Sequence, residues 1–174
     1  MCLTACNNIS DTSQTLETSV EKEQNVEEDT KKEIDEDISN NETQESSSRL
    51  ASITIYYSND DATAFTSEEV QINSLSPEEV LNTLIEKGAI AADVEILSFE
   101  TTTVDGKSTI LLDFNDAFAS YISSMGSTGE YFVMGSICNT FLDSYDCDQI
   151  QITVDGDTLS TGHAEYPGYM TTFS

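Results

Sequence analysis

The stretch from Val94 to Asn115, VEILSFETTTVDGKSTILLDFN, decides how the rest of the chain is read. Two runs, Val94 to Val104 and Lys107 to Phe114, alternate between apolar and polar residues with the period of two that marks a strand with one buried face. Between them stands Asp105-Gly106, a pair that accepts the left-handed backbone of a two-residue turn. An antiparallel hairpin is expected, with Ile110, Leu112 and Phe114 on one face and Thr109, Leu111 and Asp113 on the other.

Downstream, Asn115 is placed to cap a short helix in which Phe118, Ile122 and Met125 share a face and which Gly126 ends. Ser127-Thr128-Gly129-Glu130 has the form of a capping box. It opens the longest helix, where Met134, Ile137, Cys138, Phe141, Leu142 and Tyr145 recur at helical spacing and mark the central core helix. From Gln149 to Asp155 the alternation returns, with Ile150, Ile152 and Val154 inward, and Asp155-Gly156 turns into a last strand around Thr158 to Leu159. Upstream, Ser76-Pro77-Glu78-Glu79 is a helix start: an N-cap serine, a proline at the first helical position, and a glutamate that closes a capping box. Val80, Leu81, Leu84 and Ile85 form its apolar face, and Lys87-Gly88 its stop. Ile53, Ile55 and Tyr57 alternate with Thr54 and Tyr56 in a first strand, and Val70 and Ile72 suggest a short second one. The expected architecture is α+β: two layers, a mostly antiparallel sheet with two to three helices packed on one face, preceded by a disordered tail. Methionine and aromatic positions in the helices read as core rather than as a cofactor box, and no cofactor is expected.

The chain has 174 residues, room for one ordinary domain and a tail. Lys+Arg number 6 against Asp+Glu 33, for a formal net charge of -27, which excludes any electrostatic reliance on nucleic-acid phosphates. The same charge would be repelled by an anionic membrane surface, so attachment to a membrane would need a covalent lipid or a spanning segment. No apolar run approaches the roughly 18 residues that a spanning helix needs. From Asn7 to about Arg49, Ile9, Leu16, Val20, Val26, Ile34 and Ile38 are scattered among acidic and small polar residues. Such a segment does not bury enough apolar area to offset an ordering cost of about 1–2 kcal/mol per residue. Three parts follow: residues 1–6, the remnant of a lipoprotein signal peptide; 7–50, a disordered acidic tether; 51–174, the folded domain.

The first part rests on Leu3-Thr4-Ala5-Cys6, which resembles a bacterial lipobox, with Cys6 as the lipid-attachment residue. A charged and then an apolar region should precede such a box, and only Met1-Cys2 is present, as a start assigned too far downstream would leave. The competing reading is a chance occurrence in a cytosolic protein. The long polar spacer that follows favours a membrane tether.

Candidate chemistry is sparse. Four cysteines, Cys2, Cys6, Cys138 and Cys147, form no C-x-x-C pair and His163 is the only histidine, so a structural zinc site has no ligand set. Cys138 in mid-helix and Cys147 past its end are too far apart to bridge. Asp113 and Asp116 are candidates for a carboxylate pair, but each also suits a structural place, on a strand and in a first helical turn. A serine triad would have to recruit His163 without a nucleophile-elbow motif. Asp143, Asp146 and Asp148, and separately Asn59, Asp60 and Asp61, crowd oxygens into short loops without EF-hand spacing, so at most weak calcium binding is expected.

The residues also carry a family likeness. Ile53-Thr54-Ile55-Tyr56-Tyr57, the Ser76-Pro77-Glu78-Glu79 helix, Ile110-Leu111-Leu112-Asp113-Phe114, Gly129-Glu130 leading into Cys138-Asn139-Thr140-Phe141-Leu142, and Ile150 to Gly156 together resemble a GerMN domain, and Thr161 to Tyr166 resembles the tail of clostridial members. The likeness runs from Ser52 to Ser174. It departs between Gly88 and Asp93, where the family often has a proline-bearing loop, and in having one domain copy rather than two. What the resemblance implies is a cell-envelope lipoprotein of a spore-former, linked to sporulation or germination, with domains similar to the ring-building modules of intermembrane channels. It brings no catalytic residues, and Asn139 and Thr140 would satisfy backbone groups or pack at the helix–sheet junction. The expected function is a non-enzymatic, extracytoplasmic module, anchored to the cell membrane by lipid, for assembly with an envelope or sporulation protein. The acidic surface favours a basic or cation-bridged partner. The alternative is an extracytoplasmic ligand-binding module for peptide or envelope glycan, with Tyr166, Tyr169 and Phe173 available for stacking and no tryptophan.

Overall fold

The computed structural model describes residues 50–174. Cys6, the signal remnant and the tether expected before residue 50 lie outside the described residues. Ten elements follow one another: β1 (Ala51–Ser58), β2 (Phe65–Ile72), α1 (Pro77–Glu86), β3 (Ile96–Val104), β4 (Lys107–Phe114), α2 (Asp116–Ser123), α3 (Ser127–Tyr145), β5 (Gln149–Val154), β6 (Asp157–Ser160) and β7 (Glu165–Tyr166). The α+β class is as expected. No helix among the described residues is long and apolar enough to cross a membrane.

The helix start at Ser76 and the two Asp-Gly turns form as expected. The Ser76 hydroxyl accepts the amide of Glu79 at 3.2 Å, Pro77 opens α1, and Gly88 stands past its end at φ +73°. Asp105 and Gly106 (φ 52° and 80°) join β3 to β4, and Asp155 and Gly156 (49° and 80°) join β5 to β6, both with the two left-handed residues of a type I′ hairpin turn. Ile110, Leu112 and Phe114 are buried, as are Ile150, Ile152 and Val154.

The strands form two sheets, β1-β2 and β3-β4-β5-β6-β7. In the larger, β4 and β5 are parallel, paired from Thr109↔Gln149 to Phe114↔Val154, and all other pairings are antiparallel. A parallel pair needs a crossover, which α2 and α3 supply. Of the smaller sheet, β2 is eight residues long, more than the short strand expected, because its exposed half carries Ser67, Glu68 and Glu69, where no apolar alternation announces it. β1 does not continue into the larger sheet. On its far side the Tyr56 amide donates to the Thr140 hydroxyl of α3 at 2.9 Å, so the helix takes the place of a further strand.

That helix departs from the amphipathic pattern. From Phe132 to Leu142 every residue of α3 is buried. An all-round burial is what a helix packed on several sides requires. Gly135 is the point of closest approach: a Cβ there would lie 2.1 Å from the ring of Phe65 and 3.0 Å from Cβ of Phe173. The helix start also differs from expectation. Gly126 is the N-cap without a side-chain bond, and Ser127 is already helical. The capping box is not made because Glu130 turns inward. At the start of α2 the Asn115 side chain likewise makes no cap. It accepts the Glu95 amide (3.1 Å) and donates to the Asp93 carbonyl (3.0 Å), tying the entry of β3 to the exit of β4.

Candidate interaction site

The polar residues that the sequence singled out are spent on architecture. Asp113 accepts the Thr153 hydroxyl at 2.5 Å and the Gly156 amide at 2.9 Å, fastening the β5–β6 turn to β4. Asp116 stands in the first turn of α2, a structural place for an acidic residue. Asp148 accepts the amide and the hydroxyl of Ser108, each at 2.8 Å, and these bonds hold its carboxyl below the usual range. Asp146 is the left-handed C-cap of α3, and Asn59 takes the amides of Thr63 and Ala64 in the β1–β2 loop. Of the side-chain oxygens considered for calcium, those of Asp148 and Asn59 thus have structural duties, while Asp146 serves through its backbone. His163 donates from Nε2 to the Met125 carbonyl at 3.1 Å.

Cys138 is buried and its thiol is pushed up to about 12 by burial. Cys147 is half-buried and raised, first by burial. Both are free thiols, and shifts in this direction leave neither as a ready thiolate nucleophile.

Asn139 and Thr140 bond distant backbone, and Glu130 bonds distant side chains. The Asn139 amide group donates to the Phe173 carbonyl (3.0 Å) and accepts the Phe173 amide (2.7 Å), clamping the C-terminal segment to α3. The same segment meets β5 where Met170 and Ile150 exchange both backbone bonds. Glu130, 2% exposed, accepts the Tyr166 hydroxyl at 2.7 Å and the Thr161 hydroxyl at 2.9 Å. Burial, and then that bond to the Glu130 carboxylate, raise the Tyr166 hydroxyl above its ordinary value. Tyr166 and Phe173 are therefore packing residues, while Tyr169 stays exposed.

These clamps leave a groove of about 400 Å³ between the β1–β2 hairpin, the first half of α3 and the C-terminal segment. Tyr56, Phe65, Tyr131, Phe132 and Phe173 line it, with Asn139 at its wall. Phe65 packs edge-on to Phe132 (4.9 Å between centroids) and tilted against Tyr131 (5.7 Å), and Tyr131 meets Phe173 edge-on at 5.4 Å. Tyr56 is raised by burial and, second, by Asp143. The groove offers aromatic faces and amide groups and brings no acid–base pair or nucleophile together. Phe65 and Tyr131 carried no signal in the sequence, because their partners are brought from both ends of the domain.

A helix, α3, buried between a two-stranded hairpin and a mixed five-stranded sheet, with Asn139 and Thr140 bonded to remote backbone, defines an α+β domain. A family described as Germane, sporulation and spore germination, matches residues 54–160. The chain belongs to this family and is a GerMN-type protein. Among solved structures it is similar to the tandem GerMN domains of the sporulation protein GerM from Bacillus subtilis, with 19% identity and a TM-score of 0.50, over 71% of this chain and 46% of that one. The chain thus spans less than half of the tandem protein, and the likeness is one of fold. It is also similar to a protein of Clostridium perfringens described as a lipoprotein, with 15% identity and a TM-score of 0.40, over 70% of this chain and 87% of that one. No curated protein matches the chain. The segment after residue 160, which supplies Thr161, Tyr166 and Phe173, lies beyond the family match.

Proposed function

We propose that this protein is a non-enzymatic, extracytoplasmic lipoprotein, held to the cell membrane through Cys6 and an acidic tether over residues 7–50, whose domain from residue 51 serves as an assembly surface for an envelope or sporulation protein. The observation that carries this reading is the employment of the polar side chains: Asp113, Glu130, Asn139, Thr140, Asp148 and His163 all bind structure of the same domain. A domain so arranged has surface to offer and little chemistry. Membership in the sporulation and germination family supports the setting.

Two experiments test it. Expressed behind a complete lipoprotein signal, the chain is expected to incorporate palmitate and sediment with membranes, and Cys6→Ser to abolish both. Retained label in that variant refutes the anchor. Site-specific photo-cross-linking from the domain surface in sporulating cells is expected to capture a defined envelope protein, and cross-links to no such protein refute the assembly role. A second reading, binding of an envelope peptide or glycan, is favoured by the aromatic groove of Tyr56, Phe65, Tyr131 and Phe173. Its test is calorimetry with peptidoglycan fragments, where Tyr131→Ala should remove any heat observed.

A further inference from the structure

The smaller sheet has an edge that nothing in the described domain covers. Among the described residues β2 pairs with β1 alone. Residues opposite one another in an antiparallel pair alternate between bonding across the pair and pointing their backbone groups outward. Two observations fix the phase: the Asn59 amide bonds the Ala64 carbonyl across the hairpin, and the Tyr56 amide points away, to Thr140. Tyr56 opposes Ser67 and Thr54 opposes Glu69, so Ser67, Glu69 and Gln71 direct their N–H and C=O groups out of the sheet. All three residues are exposed, and among the described residues no hydrogen bond reaches those backbone groups. Of the terminal strands of the larger sheet, β7 has only two residues and β3 is interrupted by a register shift between Ile96 and Ser98, and short or irregular edges discourage edge pairing. β2 has an unbroken register along its eight residues.

Beside this edge runs a trough of about 400 Å³ between β2 and α1, lined by Gln71, Asn73, Glu79, Asn82 and Glu86 among others. Its charge has one sign. From Leu50 onward the only lysines or arginines are Lys87 and Lys107. Lys87 is bound to Glu68 at 2.6 Å, and Lys107 sits at the β3–β4 turn. Glu69, Glu79 and Glu86 have no cationic partner among the described residues. A second copy of this chain, at a net charge of -27, is a poor occupant.

We propose that the open edge of β2 takes an extended segment of a basic partner protein by strand addition, its backbone bonding Ser67, Glu69 and Gln71 and its lysine or arginine side chains lying over the trough toward Glu69, Glu79 and Glu86. Main-chain bonds supply the attachment and the carboxylates select the charge, as in other strand-adding domains. The proposal rests on the assembly reading and names its surface and the class of partner.

The test uses the full chain and a synthetic peptide of alternating valine and lysine with proline at both ends, against the same peptide with glutamate for lysine, by calorimetry at physiological salt. The lysine peptide is expected to bind and to slow amide exchange at Ser67, Glu69 and Gln71, while the glutamate peptide does not bind. Ser67→Pro removes an outward N–H that the fold does not use, a place where an edge strand tolerates proline. It should weaken binding at least tenfold with the melting temperature little changed, and Thr101→Pro on β3 should leave binding intact. Glu69→Lys with Glu86→Lys should weaken it similarly. Absence of binding, equal binding of both peptides, or protection that appears on β3 instead of β2 overturns the proposal. The exchange measurement on the unaltered chain decides the matter even where a proline variant fails to fold. Cross-links that capture an envelope protein away from β2 would defeat strand addition and leave the assembly reading standing.

Discussion

The β1–β2 and β3–β4 hairpins have strands of eight or nine residues, yet they are held by different means. β3–β4 is closed by Asp105-Gly106 and continued by β5, so its core face of Ile110, Leu112 and Phe114 belongs to a five-stranded sheet. β1–β2 is closed by a loop organised around Asn59 and continues into no further strand. It is fixed by α3, through Thr140 on the Tyr56 amide and through the Phe65 ring seated on Gly135. One hairpin is secured by its turn and its neighbour strand, the other by a helix brought from far along the chain. An isolated two-stranded hairpin is marginal in water. The smaller sheet should therefore be the part that local damage releases.

The largest effect expected is on the shared core. Phe114 is fully buried and packs on Phe118 at 4.6 Å, and Phe114→Ala should cost about 3–5 kcal/mol. Denaturant unfolding followed at probes on both hairpins should shift together, and a shift confined to one would break the comparison. Gly135→Ala is next. The helix gains about 1 kcal/mol from alanine, but the Phe65 ring has to leave, and overpacking of this kind typically costs more. A net loss of about 2 kcal/mol is expected, with amide exchange accelerated in β1 and β2 and unchanged in β4. Thr140→Val leaves the Tyr56 amide without its acceptor and should cost about 1.5 kcal/mol, read in the exchange rate of that amide.

Two smaller changes address the other hairpin. Gly106→Ala forces a side chain into φ +80° and should cost about 1 kcal/mol, read as a lowered midpoint in a thermal melt. The weakest effect is a pH dependence. Ser108 holds Asp148 below the ordinary carboxyl value of 3.8, so its contribution is present above that value and is lost as the pH falls through the lowered one. Ser108→Ala should move the Asp148 midpoint upward in a carboxyl-resolved NMR titration. An unmoved midpoint would mean that the bond does not tie β4 to the start of β5.

The contrast between the hairpins also governs what was legible in the sequence. Ser76-Pro77 and the two Asp-Gly turns act through residues a few places apart, and such signals could be read with their physical reasons. The GerMN likeness rested on segments of this kind, and the family match agrees with it. Contacts across long separations could not be read. Thr140 serves a residue 84 positions away, and Asn139 one 34 positions away. Glu130 looked like the end of a capping box because Ser127 stands three residues before it, but its carboxylate gains two hydroxyl partners inward, at Thr161 and Tyr166. The aromatic groove was equally hidden, since Phe65, Tyr131 and Phe173 meet only after the ends of the domain close on α3.

By itself the sequence determined the acidic charge, the order of strands and helices as far as β6, the Asp-Gly turns and the Ser76 cap, and most residues that face the core, because each depends on periodicity or on neighbours within one turn of chain. Only the tertiary structure decided that the strands divide into two sheets, that α3 is buried from Phe132 to Leu142, and that no other described residue pairs with the outer edge of β2. Those outcomes depend on which remote surface reaches a backbone group first, and no local pattern records that.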